Sequence, residues 1–266
     1  MNAGPFAVKT ADAICDRHGP YTARSFVGAV WSRCTHCVAE DEAEQQRTQE
    51  ADSLRKRQEQ WERALDGAGI PERFRNRSLQ SFVADTPGKR KALEFATRYA
   101  AEFDSILDVG RSAIFIGKPG TGKTHLATAI GLHVMRNLHR PVLFMTVMRA
   151  IRRVKDSWNR ESPETETQAI ESLTYPDLLI LDEVGVQFGS DTEKRILFDV
   201  LNERYEQRKP SILISNLGLD EVRAYVGERI FDRLREDGGE AIVFDWDSYR
   251  GTAQEDTTRE ARDASE

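Results

Sequence analysis

Eight consecutive residues, Gly117-Lys118-Pro119-Gly120-Thr121-Gly122-Lys123-Thr124, match the pattern G-x-x-x-x-G-K-[ST] without a mismatch. The apolar run AIFI before them predicts a strand, and HLATAIGLHVM after them predicts a helix. That strand–loop–helix setting is the one in which the pattern cradles phosphates. Its glycines let the backbone turn tightly, so that several N–H groups aim at one point. The helix N-terminus adds partial positive charge at the same point. Lys123 is expected to reach the β- and γ-phosphates of ATP, and Thr124 to place its hydroxyl on Mg²⁺. His125, next in the chain, joins Gly117–Thr124 in the nucleotide-contacting set. A chance glycine-rich turn is the competing account.

The downstream text weighs against chance. Leu178-Leu179-Ile180-Leu181 runs into Asp182-Glu183, an apolar strand that ends in two carboxylates. It is expected to lie beside the phosphate-loop strand. Asp182 would hold Mg²⁺, directly or through water, and Glu183 would polarise the attacking water. Alone, this could be a strand closing on an acidic turn. The strand Ser211–Ser215 ends at Asn216, which could contact the γ-phosphate or orient the water, or could simply cap the strand. AIFIG, PVLFMT, DLLILDE, PSILISN and AIVFDW read as five buried strands, most of them separated by helical segments. That alternation predicts a parallel sheet flanked by helices.

Four zones divide the chain: 1–40, 41–69, 70–250 and 251–266. Residues 40–66 are rich in Glu, Gln and Arg and lack Pro and Gly, which predicts an exposed helix. Leu54, Trp61 and Leu65 fall near heptad spacing, so both a solvated linker and a partner-docking helix stand. In the connector that follows, Ile70, Phe74, Leu79, Phe82 and Val83 are anchors for packing. The end, GTAQEDTTREARDASE, is polar and acidic and reads as a disordered tail. The 266 residues carry a net charge of -6, which excludes a uniformly basic coat for DNA but not a local basic patch. No apolar run has the length of a membrane span, and the N-terminus lacks signal-peptide character. No membrane partner and a cytoplasmic location are the expectations.

All three cysteines fall in the first zone. Cys15-x2-His18 and Cys34-x2-Cys37 are separated by a fifteen-residue spacer. Two such paired knuckles suit a tetrahedral Cys₃His zinc ribbon. Metal would supply folding energy that so short a segment cannot draw from a core. His36, between two of the ligands, is expected to point away. Three unrelated reduced thiols are the alternative.

Taken together, GKPGTGKTHLA, LLILDEVGVQ, ILISN, VGERIFDRL and FDWDSYR resemble the DnaC-type bacterial helicase loaders, within the DnaC/IstB branch of AAA+ ATPases. The resemblance covers roughly residues 70–250 and includes the connector GIPERFRNRSLQSF. It implies an AAA+ fold with a five-stranded parallel sheet, poor in lid, since only 50 residues follow Asn216 in a chain of 266. It implies that Arg233 is an arginine finger acting on ATP bound by a neighbouring subunit, with Arg229 one turn earlier on the same face. Arg250 matches a sensor-2-like arginine. The helix from Val147, with Arg149, Arg152, Arg153 and Lys155, corresponds to a region that lines a path for single-stranded DNA, although a solvated face reads equally well. The partners implied are a DnaB-type replicative helicase, single-stranded DNA, and further copies of the chain in an ATP-bridged oligomer. The implied setting is a bacterium or a phage within one. ATP hydrolysis, slow until DNA or assembly stimulates it, would drive release. An IstB-like transposition ATPase that binds DNA and recruits a transposase is the alternative. An adaptor that uses ATP only to assemble is a third. The small Cys/His module departs from the helical N-terminal domain of the better-known loaders.

Overall fold

A computed structural model describes residues 8–25, 30–186 and 190–249. They fall into two compact units, Met1–Ala64 and Leu65–Glu266.

In the first unit, β1 (Lys9–Cys15) and β2 (Gly19–Ser25) form an antiparallel hairpin with Cys15 opposite Gly19. The turn returns through Gly19 at φ +80°, a conformation that favours glycine. Helix α1 (Thr35–Gly67) starts before the charged stretch that predicts it, so Cys37 lies in its first turn. Exposed pairs such as Arg55–Asp52 line it, each worth only tenths of a kcal/mol.

The second unit opens with a 3₁₀ turn (Glu72–Phe74), then α2 (Pro87–Ala101) and α3 (Phe103–Val109). The run KRKALEFATRYAAEFDSIL thus yields two helices, interrupted at Glu102. Then follow β3 (Ala113–Gly117), α4 (Lys123–Asn137), β4 (Val142–Thr146), α5 (Val147–Asp156) and α6 (Glu166–Thr174). The chain continues through β5 (Leu178–Asp182), α7 (Asp191–Glu206) and β6 (Ser211–Ser215). It closes with α8 (Leu219–Val226), α9 (Glu228–Arg235) and β7 (Glu240–Phe244). Gly227, at φ +86°, separates α8 from α9 where the helical text runs on without a break.

The five strands stand in the order β4-β5-β6-β3-β7, and every pairing is parallel. β3 through β6 are buried over nearly their whole lengths, which is why they read as continuous apolar runs. One expectation is corrected here. The Asp182 strand does not lie beside the phosphate-loop strand, because β6 stands between them. The two ends meet because α4 leaves the loop and packs across β4, β5 and β6. Gly131 lets α4 sit close: a Cβ there would be 3.0 Å from Ile180 Cδ1. The edge strand β4 is covered where Phe144 N–H donates to Ala68 O (2.7 Å).

Arg204, buried on α7, fastens the segments that lead into β5 and β6. Its guanidinium donates to the carbonyls of Leu173, Thr174, Pro176, Asp177 and Pro210 and to Ser211 Oγ. Burial lowers its pKa to about 9, which still leaves it charged at neutral pH.

Candidate functional site

The loop Gly117–Thr124 joins the end of β3 to the start of α4 and borders a cleft of about 450 Å³. Pro119 through His125 line this cleft together with Asp182, Glu183 and Asn216. Gly117 and Lys118 form the rising limb of the loop. Lys123, 5 % exposed, donates from Nζ to their carbonyls at 2.6 and 2.7 Å. Gly117 has φ +131°, and a Cβ there would stand 2.1 Å from Phe244 O, so only glycine fits.

Across the cleft, Thr124 Oγ1 donates to Asp182 Oδ2 at 2.9 Å. A hydroxyl and a carboxylate held this way form an oxygen pair suited to Mg²⁺. Burial pushes the Asp182 carboxyl above its ordinary range, opposed by the bonds from Thr124 and from the Glu183 backbone. A divalent cation would offset that burial. Glu183 adopts φ +61°, a left-handed conformation that is costly for a residue with a Cβ. Its own N–H steadies it by donating to Asp182 Oδ1 at 2.8 Å. Next, Val184 N–H donates to Ile214 O (2.9 Å), and Ser215 Oγ donates to Val184 O (2.6 Å). These bonds tie the ends of β5 and β6 together, so Glu183 and Asn216 open on the same cleft.

His125 lines the cleft, but its ring is engaged by the connector. Phe82 packs edge-on against it at 5.5 Å, and Nε2 lies 2.9 Å from Ser78 O. Burial pushes its pKa down and favours the neutral ring. The connector supplies further walls, among them Phe74, Arg77 and Phe82. Of the connector anchors legible in sequence, Phe74, Phe82 and Val83 line this cleft, a role that sequence did not reveal. A second group gives no local sign of its contact with this loop. Trp246 Nε1 donates to Thr121 O (2.9 Å), Tyr249 N–H to Gly120 O (3.0 Å), and Lys118 N–H to Phe244 O (3.3 Å). The FDWDSY segment thereby braces the phosphate loop from 125 residues away in the chain. Arg250 lies outside the described residues, as does the tail 251–266.

Arg233 does not line this cleft. It borders a separate open concavity on α9, with Arg229 and Arg235. On α5, Arg153 is paired with Glu164 (2.7 Å) and Lys155 with Glu193 (2.7 Å). Arg149 and Arg152 are exposed beside them.

The first unit gathers Cys15, His18, Cys34 and Cys37, whose ligand atoms all lie within 4.8 Å of one another. Cys37 Sγ is 3.3 Å from His18 Nδ1 and 3.5 Å from Cys15 Sγ. A tetrahedral zinc with thiolate and imidazole ligands has edges of roughly 3.4–3.8 Å, so the donor set fits that ion. The hairpin turn presents the first pair, and the entry to α1 presents the second. His18 Nε2 lies 3.0 Å from Glu40 Oε1, the outer carboxylate that commonly orients a ligating histidine. His36 is not part of the group. No helix among the described residues is long and apolar enough to cross a membrane.

Comparison with known proteins gives concordant results. Residues 97–256 match the family described as IstB-like ATP binding protein. The chain is 36% identical over 190 residues to the replicative helicase loader DnaC of Buchnera aphidicola subsp. Acyrthosiphon pisum, covering 71% of this chain and 75% of that protein. It is 35% identical over 189 residues to the replicative helicase loader DnaC of Escherichia coli K12, with the same coverage. A crystal structure of the DnaC helicase loader superposes with a TM-score of 0.59 at 22% identity, over 65% of this chain and 99% of that one. That last likeness is one of fold.

Proposed function

Since this chain belongs to the DnaC/IstB branch of AAA+ ATPases, we propose that it loads a DnaB-type replicative helicase onto single-stranded DNA and that hydrolysis of ATP drives its release. The chain is an ATPase that uses ATP and Mg²⁺. The observation that carries the loader reading is the identity of about a third to named helicase loaders over 71% of the chain. The intact Thr124–Asp182–Glu183–Asn216 arrangement supports hydrolysis rather than binding alone.

In this reading each side chain has a defined task. Thr124 and Asp182 hold Mg²⁺, which when bound neutralises phosphate charge. Lys123 exchanges the carbonyls of Gly117 and Lys118 for phosphate oxygens, and the loop N–H groups orient the chain of phosphates. Glu183 accepts the proton of the attacking water, and Asn216 positions that water. Arg233 reaches the ATP of a neighbouring copy, which agrees with its place outside its own cleft. Arg149 and Arg152 contact phosphates of single-stranded DNA, while Arg153 and Lys155 stay committed to carboxylates. Cys15, His18, Cys34 and Cys37 hold zinc, and the module they fold, together with α1, grips the helicase. Its place of action is the cytoplasm.

The match to the IstB-like family favours one second reading, a transposition ATPase that recruits a transposase. Co-purification separates the two. The loader reading expects the full-length chain to retain a hexameric replicative helicase in the presence of ATP and not a transposase. Retention of the transposase alone would overturn it.

A further inference from the structure

The concavity on α9 holds three arginines in different states. Arg235 Nε is committed to Gly239 O at 3.1 Å. The guanidinium of Arg229 lies over the Phe198 ring, 5.8 Å from its centroid. That of Arg233 lies over the Tyr205 ring at 4.6 Å, and its Nη1 is buried with no hydrogen-bond partner among the described residues. A buried cationic donor left without an acceptor is costly within one chain. It is what remains when the acceptor, an anion, comes from elsewhere.

Tyr205 is itself held. It projects from the last turn of α7, and its hydroxyl donates to Glu236 Oε2 at 2.7 Å, just past the end of α9. The phenol is thus pinned to the same short segment that carries Arg233. Its face carries the guanidinium by cation–π attraction, which fixes the plane of the group without using any of its N–H donors. A salt bridge to Arg233 would have consumed the donors that a phosphate needs. Phe198 and Tyr205 are seven apart on α7, so the two arginines of α9 rest on one aromatic face of the neighbouring helix.

We infer that Tyr205, anchored by Glu236, is a positioning residue that holds Arg233 ready for the γ-phosphate of ATP bound by a second copy of this chain. The inference rests on the proposed trans-acting role of Arg233. Tyr205 touches no nucleotide in its own subunit, so its loss acts only on the neighbour's turnover.

The test uses full-length chains with ATP, Mg²⁺ and single-stranded DNA. Tyr205→Leu is expected to lower kcat roughly tenfold, since small misplacement of a catalytic group costs about that much or more, with KM for ATP and single-chain ATP affinity unchanged. Tyr205→Phe, which keeps the ring and loses the bond to Glu236, is expected to fall about threefold. Mixing Tyr205→Leu chains with Lys123→Ala chains should restore turnover above the sum of the two alone, because an intact cleft then meets an intact finger. Unchanged ATP affinity establishes that the variant is folded. If Arg233→Ala loses turnover and complements Lys123→Ala, but Tyr205→Leu keeps full turnover or fails to complement, the positioning role is wrong and the finger stands. If Arg233→Ala itself keeps full turnover, the finger reading falls and the role of Tyr205 falls with it.

Discussion

In the hairpin unit, the buried residues among those described are Ala23, Ser25 and Cys34, while Ile14 on the hairpin is 82% exposed. In the sheet unit, Ile114, Phe115, Leu179, Ile180, Ile212 and Leu213 are sealed completely. The sheet unit is held by transfer of apolar surface from water, on the order of 25 cal/mol per Å². The hairpin unit has too little such surface, and its four candidate ligand residues stand where a core would be. The difference separates two kinds of stability within one chain. One is built into the sequence and needs no bound metal. The other, in the zinc reading proposed above, is conditional on a metal and on ligands kept reduced and deprotonated.

The most forceful way to break this comparison is to remove the metal. Full-length protein purified without chelator is expected to carry one zinc per chain. Stripping it with a strong chelator should abolish amide-exchange protection in β1 and β2, since structural zinc contributes apparent free energies of about 10 kcal/mol or more. ATP turnover by the chain alone should stay within about twofold. Protein that arrives without zinc, or a hairpin that stays protected after stripping, would place the first unit's stability elsewhere.

The sheet unit should fail by the opposite route. Arg204→Met keeps much of the side-chain volume but removes the guanidinium that donates to five backbone carbonyls. The expected loss is about 3–5 kcal/mol, read as a lower midpoint in denaturant with zinc content unchanged. A shift below about 1 kcal/mol would mean that water or the backbone replaces the guanidinium readily.

What could be read from sequence follows the same division. β3 through β6 are legible because a strand buried on both faces must be apolar throughout. The phosphate loop is legible because its geometry needs glycine at fixed places. The four metal-ligand candidates stand out because their spacing is all that the hairpin unit has to organise it. Strand order was not legible: that β6 separates the Asp182 strand from the loop strand depends on how α4 crosses the sheet, and no local run of residues records it. The bracing of Gly120 and Thr121 by Tyr249 and Trp246 escapes for the same reason. Helix α6 was hidden by its short, polar text, although Thr165 and Gln168 form a capping box that could have marked its start. The hold of Tyr205 on Arg233 joins two helices through a ring face, which spacing along one helix cannot reveal.

The central claim, that hydrolysis at the Asp182–Glu183 end of β5 lets the chain leave its helicase, is tested most directly with Glu183→Gln. This variant keeps the shape of the cleft and removes the base. The account predicts ATP affinity near that of the unaltered protein, turnover reduced at least about a hundredfold, and helicase that stays bound when ATP and single-stranded DNA are both present. Turnover and helicase release that both persist at the unaltered level would contradict it.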